Sequence, residues 1–228
     1  MANGYRESVP TDKRKVAACK RRFKMFYPGG FYDDDYIALE RDYKWDAHRA
    51  WEEVVGAKGL KARMAAGDYD DLARAIVRIE SRTNLLFSFE KMAVRDAIST
   101  PAGAKTFVDG LADWLEGRGS EAARFERWCE AVDALPRRQT RVRTWPVTTV
   151  FGFIAKPQTH IFLKPTVTKR AAEAFGFDFE YHSRPQWETY ANLLAFAGDV
   201  RETLADWRPR DMIDIQSFIW VQGSSEYD

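Results

Sequence analysis

His160 and Lys164 stand four residues apart, and Thr166, Thr168, Lys169 and Arg170 follow directly. An imidazole and an amine beside two hydroxyls and two further cations form a set suited to holding an anion. If 159–164 is a strand, His160, Phe162 and Lys164 share one face, with Ile161 and Leu163 on the other. A helix opening at Thr166–Thr168 then carries Lys169 and Arg170 in its first turn. Cations there oppose the helix dipole, and an anion bound at the same backbone N–H groups would relieve them. The expectation is an anion or phosphate site of His160, Lys164, Thr166 and Lys169, extended by Arg170, Arg141 and Arg143. The competing reading leaves His160 and Lys164 on the solvent face of a hairpin.

Two further basic clusters carry the same chemistry. Residues 13–24 hold seven positive charges and no negative one, among them Lys13, Arg14, Lys15, Lys20, Arg21 and Arg22. Phe26, Tyr27 and Phe31 follow around the turn signal Pro28-Gly29-Gly30. Cations followed by aromatic rings suit a phosphate backbone or a base, and a solvated basic arm is the plainer alternative. Residues 137–143 bring Arg137, Arg138, Arg141 and Arg143.

The acidic candidates lie on the early helices. The apolar stripe of a long helix expected over about 70–99 includes Glu80 and Glu90, and a carboxylate on such a stripe needs a partner. Asp42, Asp46 and His48 on the preceding helix, with Arg82, would complete a buried polar network. The structural role outweighs an acid–base one, because the Glu-x-x-His spacing of bundle metal sites is missing. There is no Gly-x-Gly-x-x-Gly, phosphate loop, nucleophile elbow or zinc-ligand spacing. No catalytic residue, metal or cofactor is therefore assigned. The phrase 211–220, Asp-Met-Ile-Asp-Ile-Gln-Ser-Phe-Ile-Trp, is unusual in composition and receives no role.

The elements that must position these residues read mainly as helix. Asp33–Asp35 cap a helix to about residue 55, with a short helix near 60–66 and the long one at 70–99. Helices at 103–116 and 120–134 follow, separated by Gly117 and Gly119. Residues 145–166 are rich in β-branched and aromatic side chains and read as a hairpin. Phe177–His182 alternates apolar and polar, as a third strand would. Helices at about 166–174 and 187–205 and an element at 212–221 complete the chain. The expected fold is mainly α with a small antiparallel sheet of two or three strands in the C-terminal half. Its parts are a basic, partly mobile arm (1–30), a helical subdomain (31–136), a hairpin with its covering helices (137–222) and a disordered tail (223–228). The two central parts are expected to form one continuous domain.

The bulk numbers narrow the function classes. The 228 residues carry 35 Lys+Arg against 34 Asp+Glu, a net charge of +1, so no global field recruits nucleic acid or membrane. Two cysteines and no apolar N-terminal segment point to a reducing cytoplasm. No apolar run is long enough to span a bilayer. Aromatic residues make up 14% of the chain, with eight Trp, which suits large-ring core packing or a docking surface. The leading expectation is a nucleic-acid-associated binding protein of a bacterial cytoplasm that contacts phosphates through its local clusters. The alternatives are a protein–protein adaptor or inhibitor with an aromatic surface, and an enzyme with a Glu/Asp/His site between the first two long helices. An enzyme is the least favoured.

Overall fold

The computed structural model describes residues 12–138 and 140–228. The first eleven residues of the expected basic arm (1–30) lie outside the described residues, as does residue 139. Helices run in the order α1 (Lys13–Phe26), α2 (Asp34–Tyr36), α3 (Asp42–Val54), α4 (Ala57–Ala65), α5 (Tyr69–Ser81), α6 (Ser88–Ala97), α7 (Pro101–Glu116) and α8 (Glu121–Asp133). They continue as α9 (Trp145–Ala155), α10 (Pro165–Phe175), α11 (Trp187–Thr203) and α12 (Met212–Gly223), with a final 3-10 turn at Ser225–Tyr227.

The expected antiparallel sheet is absent: no strand occurs among the described residues. Its first strand is α9. Thr144 caps that helix by accepting the Val147 N–H, and Pro146 sits in the first turn, where its missing N–H costs nothing. Every residue of α9 is buried. A helix covered on all sides shows no polar stripe, so its β-branched and aromatic run mimics a buried strand. The hydroxyls of Thr148 and Thr149 donate to the carbonyls of Thr144 and Trp145, four residues back, which makes two β-branched residues compatible with the helix. Gly152 is required at its position: a Cβ there would stand 2.2 Å from Trp114 Cη2.

The other two expected strands are irregular segments without a partner strand, the first entered through a turn in which Thr159 and His160 N–H donate to the Lys156 carbonyl. Helix side chains satisfy their backbone instead. Leu163 N–H donates to Thr149 Oγ1, and Ile161 N–H donates to Tyr190 Oη. Along 177–182, Glu180 N–H donates to Asn192 Oδ1 and His182 N–H to Thr189 Oγ1, while Thr189 Oγ1 donates to the Glu180 carbonyl.

The helix expected over 70–99 is interrupted. Between α5 and α6 the chain turns through residues 82–87. Thr83 Oγ1 donates to the Glu80 carbonyl at the end of α5, and the Glu90 carboxylate accepts the Phe87 N–H at the start of α6. Lys91 donates to the carbonyls of Ser81 and Thr83 and braces the same loop.

α9 packs on α3, α5, α7 and α8, so helices on both sides of residue 136 share their packing. Trp114, Phe125, Trp128, Trp145 and Tyr190 form one aromatic cluster, with Phe125 and Tyr190 stacked at 4.5 Å. A second cluster centres on Phe23 of α1, which meets Tyr27, Phe31, Tyr36, Trp207 and Phe218. Residues 13–30, expected to belong to a partly mobile arm, contribute Cys19, Phe23 and Tyr27 to the core, and Phe31 packs beside them. α12 lies along α10 so closely that a Cβ on Gly223 would stand 2.0 Å from the Val167 carbonyl oxygen. The tail folds back over this pair and brings Tyr227 to α1 and to residue 40.

Candidate functional site

Between α2 and α3 the chain makes a π-helical turn, Ile37–Arg41, in which Asp42 N–H bonds to the Ile37 carbonyl across five residues. Such single wide turns are rare and recur at functional sites. Here the turn presents two charged residues, Glu40 and Arg41, to the interior, only 5% and 7% exposed.

Arg41 faces α12. Its guanidinium forks onto Asp211 at 2.7 and 3.0 Å and reaches Asp214 Oδ1 at 2.8 Å. Tyr36 Oη donates to the same Asp214 oxygen at 2.6 Å, and Arg210 covers both Asp214 oxygens. Two arginines balance two aspartates, and Asp211 also caps α12. Burial pulls the Arg41 guanidinium towards losing its proton, but Asp211 and Asp214 outweigh it and hold the charge. Every group in this cluster has its partners, so its role is to lock the π-turn to α12.

Glu40 faces the other way, into a cleft of about 540 Å³ lined by α1, the π-turn, α3, the 82–87 loop, residues 162–164, α12 and the final turn. Lys44, one turn along α3, donates to Glu40 Oε2 at 2.9 Å and to Ser217 Oγ at 2.8 Å. Burial disfavours the Lys44 ammonium, but Tyr43 and Glu40 more than compensate, so its affinity for the proton is raised. Tyr227 Oη donates to Glu40 Oε1 at 2.5 Å and lies 2.5 Å from Tyr27 Oη. Burial and the Glu40 carboxylate both hold the Tyr227 hydroxyl protonated. With both carboxylate oxygens occupied, the Glu40–Lys44 pair forms a fixed polar wall rather than a free base.

Two residues of the cleft keep unused capacity. Gln216 is 4% exposed; its side chain makes no hydrogen bond with any described residue, and its buried Oε1 is left without a partner. Lys164 stands with its Nζ 3.7 Å from the Phe87 ring centroid and 6.0 Å from that of Trp220. It donates one N–H, to the Leu85 carbonyl at 3.0 Å. Burial lowers its affinity for the proton, against the nearby Glu90 and Glu226 carboxylates. Phe26, Leu39, Tyr43, Phe87, Phe162 and Trp220 supply the apolar walls, so the cleft combines flat rings with a few converging polar groups.

The remaining sequence-expected residues are placed as follows. His160 Nδ1 lies 3.2 Å from Tyr190 Oη, and its ring packs 4.7 Å from Trp114. Burial, reinforced by Lys156 and Arg124, lowers its pKa to about 4. Thr166 and Arg170 are exposed, and Lys169 stacks over Tyr181, so these residues and Lys164 face different neighbours. On α1, Lys15 donates to the Glu173 carbonyl, Lys20 pairs with Asp206, and Arg22 holds the carbonyls of Val221 and Tyr227 together with Asp228. Lys13, Arg14 and Arg21 point to solvent. Arg143 is buried against Asp133 and the Pro185 carbonyl; Arg137, Arg138 and Arg141 are exposed, with Arg138 3.8 Å from Asp96.

Of the expected acidic network, Glu80 and Glu90 flank the 82–87 loop. Glu90 accepts from Phe87 N–H and from Thr144 Oγ1. Burial raises the Glu80 pKa to about 7, partly offset by Lys91 at 4.0 Å. Asp42, Asp46 and Arg82 are exposed, and Asp46 pairs with Arg49. His48 bonds the Ile154 carbonyl and lines a separate cavity with Glu52 and Glu116. Among the described residues no group of three His, Cys, Asp or Glu is placed to hold a metal ion. Both thiols are buried, Cys19 pushed up to about 11 and Cys129 to about 12, values that leave them unreactive. No described helix is long and apolar enough to cross a membrane.

Glu40, Lys44, Gln216 and Tyr227 were not among the sequence-expected site residues. Glu40 and Lys44 drew no reading from their sequence context, and the tail 223–228 was expected to be disordered. The one available signal was the 211–220 phrase, whose Asp211, Asp214, Gln216, Ser217 and Trp220 all face this region. No protein-family model, curated protein or solved structure matches this chain.

Proposed function

We propose that this chain is a binding protein whose cleft takes a small ligand with a flat ring and polar substituents. The observation that carries the reading is Gln216: a buried amide without a hydrogen-bond partner in the wall of an aromatic cleft. An unpaired buried polar group costs about 1–3 kcal/mol, and a bound donor or acceptor recovers that cost. Lys164, with two spare N–H groups on the same cleft, adds a second point of recognition. The Glu40–Lys44–Tyr227 wall is saturated and fixed, which favours binding over proton transfer. Two buried free thiols suit a cytoplasmic location.

The test is a thermal-shift screen of planar polar compounds against the full chain, repeated on Lys164→Met and Gln216→Leu. A compound that raises Tm in the native chain and fails to do so in both variants supports the cleft. Shifts that persist unchanged in both variants would overturn it.

A second reading, nucleic-acid association, is favoured by the α1/α10 surface. The two helices run side by side, and Arg14, Arg21, Lys169 and Arg170 are exposed on them. Binding there would weaken steeply with salt, with a log–log slope near −0.7 per phosphate on single strands. Flat salt dependence would remove this reading.

A further inference from the structure

The cleft has a neighbour. A groove of about 620 Å³ is lined by Ala18, Arg21, Met25, Ala174 and Gln222, and Phe26 and Tyr227 line both spaces. The partition between them is thin, since the Phe26 and Tyr227 rings meet edge to face at 4.8 Å. On one side of this ridge stand flat rings, Gln216 and Lys164. On the other stand Arg21, exposed and without an ion pair to any described residue, and Arg22, held by main-chain carbonyls and Asp228.

Resting on the cleft reading above, we infer that the ligand is a nucleotide, with its base in the cleft and its phosphate across the Phe26–Tyr227 ridge at Arg21. The chemistry of each part selects this class. A side-chain amide offers an acceptor and a donor side by side, and the edge of a base that carries an amino group next to a ring nitrogen is its complement, as in adenine N6 and N7. Gln216 lies in the cleft wall with a buried amide oxygen that has no hydrogen-bond partner among the described residues. Base rings stack on aromatic side chains whatever their sequence, and Phe87 and Trp220 both line the cleft within reach of Lys164. The Lys164 ammonium reaches ring or sugar acceptors from that position. A guanidinium in the groove across that ridge matches a phosphate by its planar fork. The same chemistry is presented by a free mononucleotide and by the terminal nucleotide of a single strand.

Isothermal titration of the full chain separates the possibilities. The ligands are the four nucleoside 5′-monophosphates, the matching nucleosides, short single-stranded oligonucleotides and indole-3-acetate as a flat anion without a base edge. The expected result is saturable binding of at least one monophosphate. Gln216→Leu and Lys164→Met should each weaken it about tenfold or more, the equivalent of one lost polar contact. Arg21→Gln, a surface change that leaves folding intact, should weaken the monophosphate and leave its nucleoside unchanged. Equal affinity for monophosphate and oligonucleotide supports a free nucleotide, and tighter oligonucleotide binding supports a strand end. If indole-3-acetate binds in a Lys164-dependent way while no nucleotide does, the inference is overturned and the cleft reading stands. If nothing binds, both fall. If Arg21→Gln weakens nucleoside and monophosphate alike, the placement of the phosphate is wrong.

Discussion

Tyr227 Oη donates to Glu40 Oε1 at 2.5 Å, joining the last turn of the chain to a π-turn 187 residues earlier. That single bond closes one wall of the cleft, because Glu40 is held from its other side by Lys44. Tyr227→Phe leaves the ring packing on Phe26 and removes only the hydroxyl. The expected cost is about 1–3 kcal/mol, read from urea unfolding, since a charged acceptor loses one buried donor. An unchanged midpoint would mean that the tail contributes nothing to the wall.

The Arg41–Asp211–Asp214 cluster makes a sharper prediction. Removing one member leaves an uncompensated buried charge. Asp214→Ala should therefore cost about 3–5 kcal/mol. Tyr36→Phe, which removes a single donor to Asp214, should cost about 1–2 kcal/mol. Similar losses from the two variants would contradict the ordering.

Two buried groups give stability opposite slopes with pH. Glu80 ordinarily titrates near 4.5 and is pushed up to about 7, so the folded chain binds that proton more tightly than the unfolded one. Its contribution is full below pH 4.5 and is lost as pH rises through 7, about 3 kcal/mol at most. His160 is displaced the other way, from 6.5 to about 4. Its contribution is full above pH 6.5 and is lost as pH falls through 4, again about 3 kcal/mol at most. Glu80→Gln should flatten the alkaline side of a stability–pH curve, and His160→Phe the acid side. Curves that stay parallel to the native one would refute the assignments. Because Glu80 supports the loop that carries Phe87, ligand affinity should also fall between pH 6 and 8 in the native chain and not in Glu80→Gln.

Gly152→Ala tests the helix that the sequence disguises. Its new methyl group would overlap the Trp114 ring, so α9 or the indole has to move. Overpacking of this kind costs about 1–3 kcal/mol or more. A neutral substitution, measured by thermal unfolding, would show that α9 does not approach Trp114 so closely.

Where a helix is half exposed, its ends and its buried face can be read from residue order. α7 and α8 show this: Gly117 separates them, Ser120 caps α8, and Phe107, Leu111, Trp114, Phe125 and Trp128 recur at helical steps, although Thr100 proves to cap α7 as well as to follow α6. α9 could not be read in this way, because uniform burial erases the stripe that distinguishes 3.6 from 2. Its legible clue was local, a capping Thr144 with Pro146 behind it. The irregular segments at 159–164 and 177–182 looked like strands because of their β-branched and aromatic content and their alternation of apolar and polar residues; helix side chains fill the role of a partner strand. Of the candidate site, Lys164 was legible as a cation at a helix start. Glu40, Lys44, Gln216 and Tyr227 were not, since each is brought to the cleft by contacts spanning most of the chain.

The sequence by itself determined a helix-rich chain with nearly balanced charge, two cysteines and an aromatic content suited to large-ring packing. These follow from composition and from interactions a few residues long. Tertiary structure alone decided which charges are used internally and which remain free. Lys20, Arg22 and Arg143 are neutralised by carboxylates and carbonyls far along the chain, whereas Arg21 and Lys164 keep donors to spare. A side chain's unused hydrogen-bonding capacity depends on every neighbour the fold supplies, and residue order does not contain that sum.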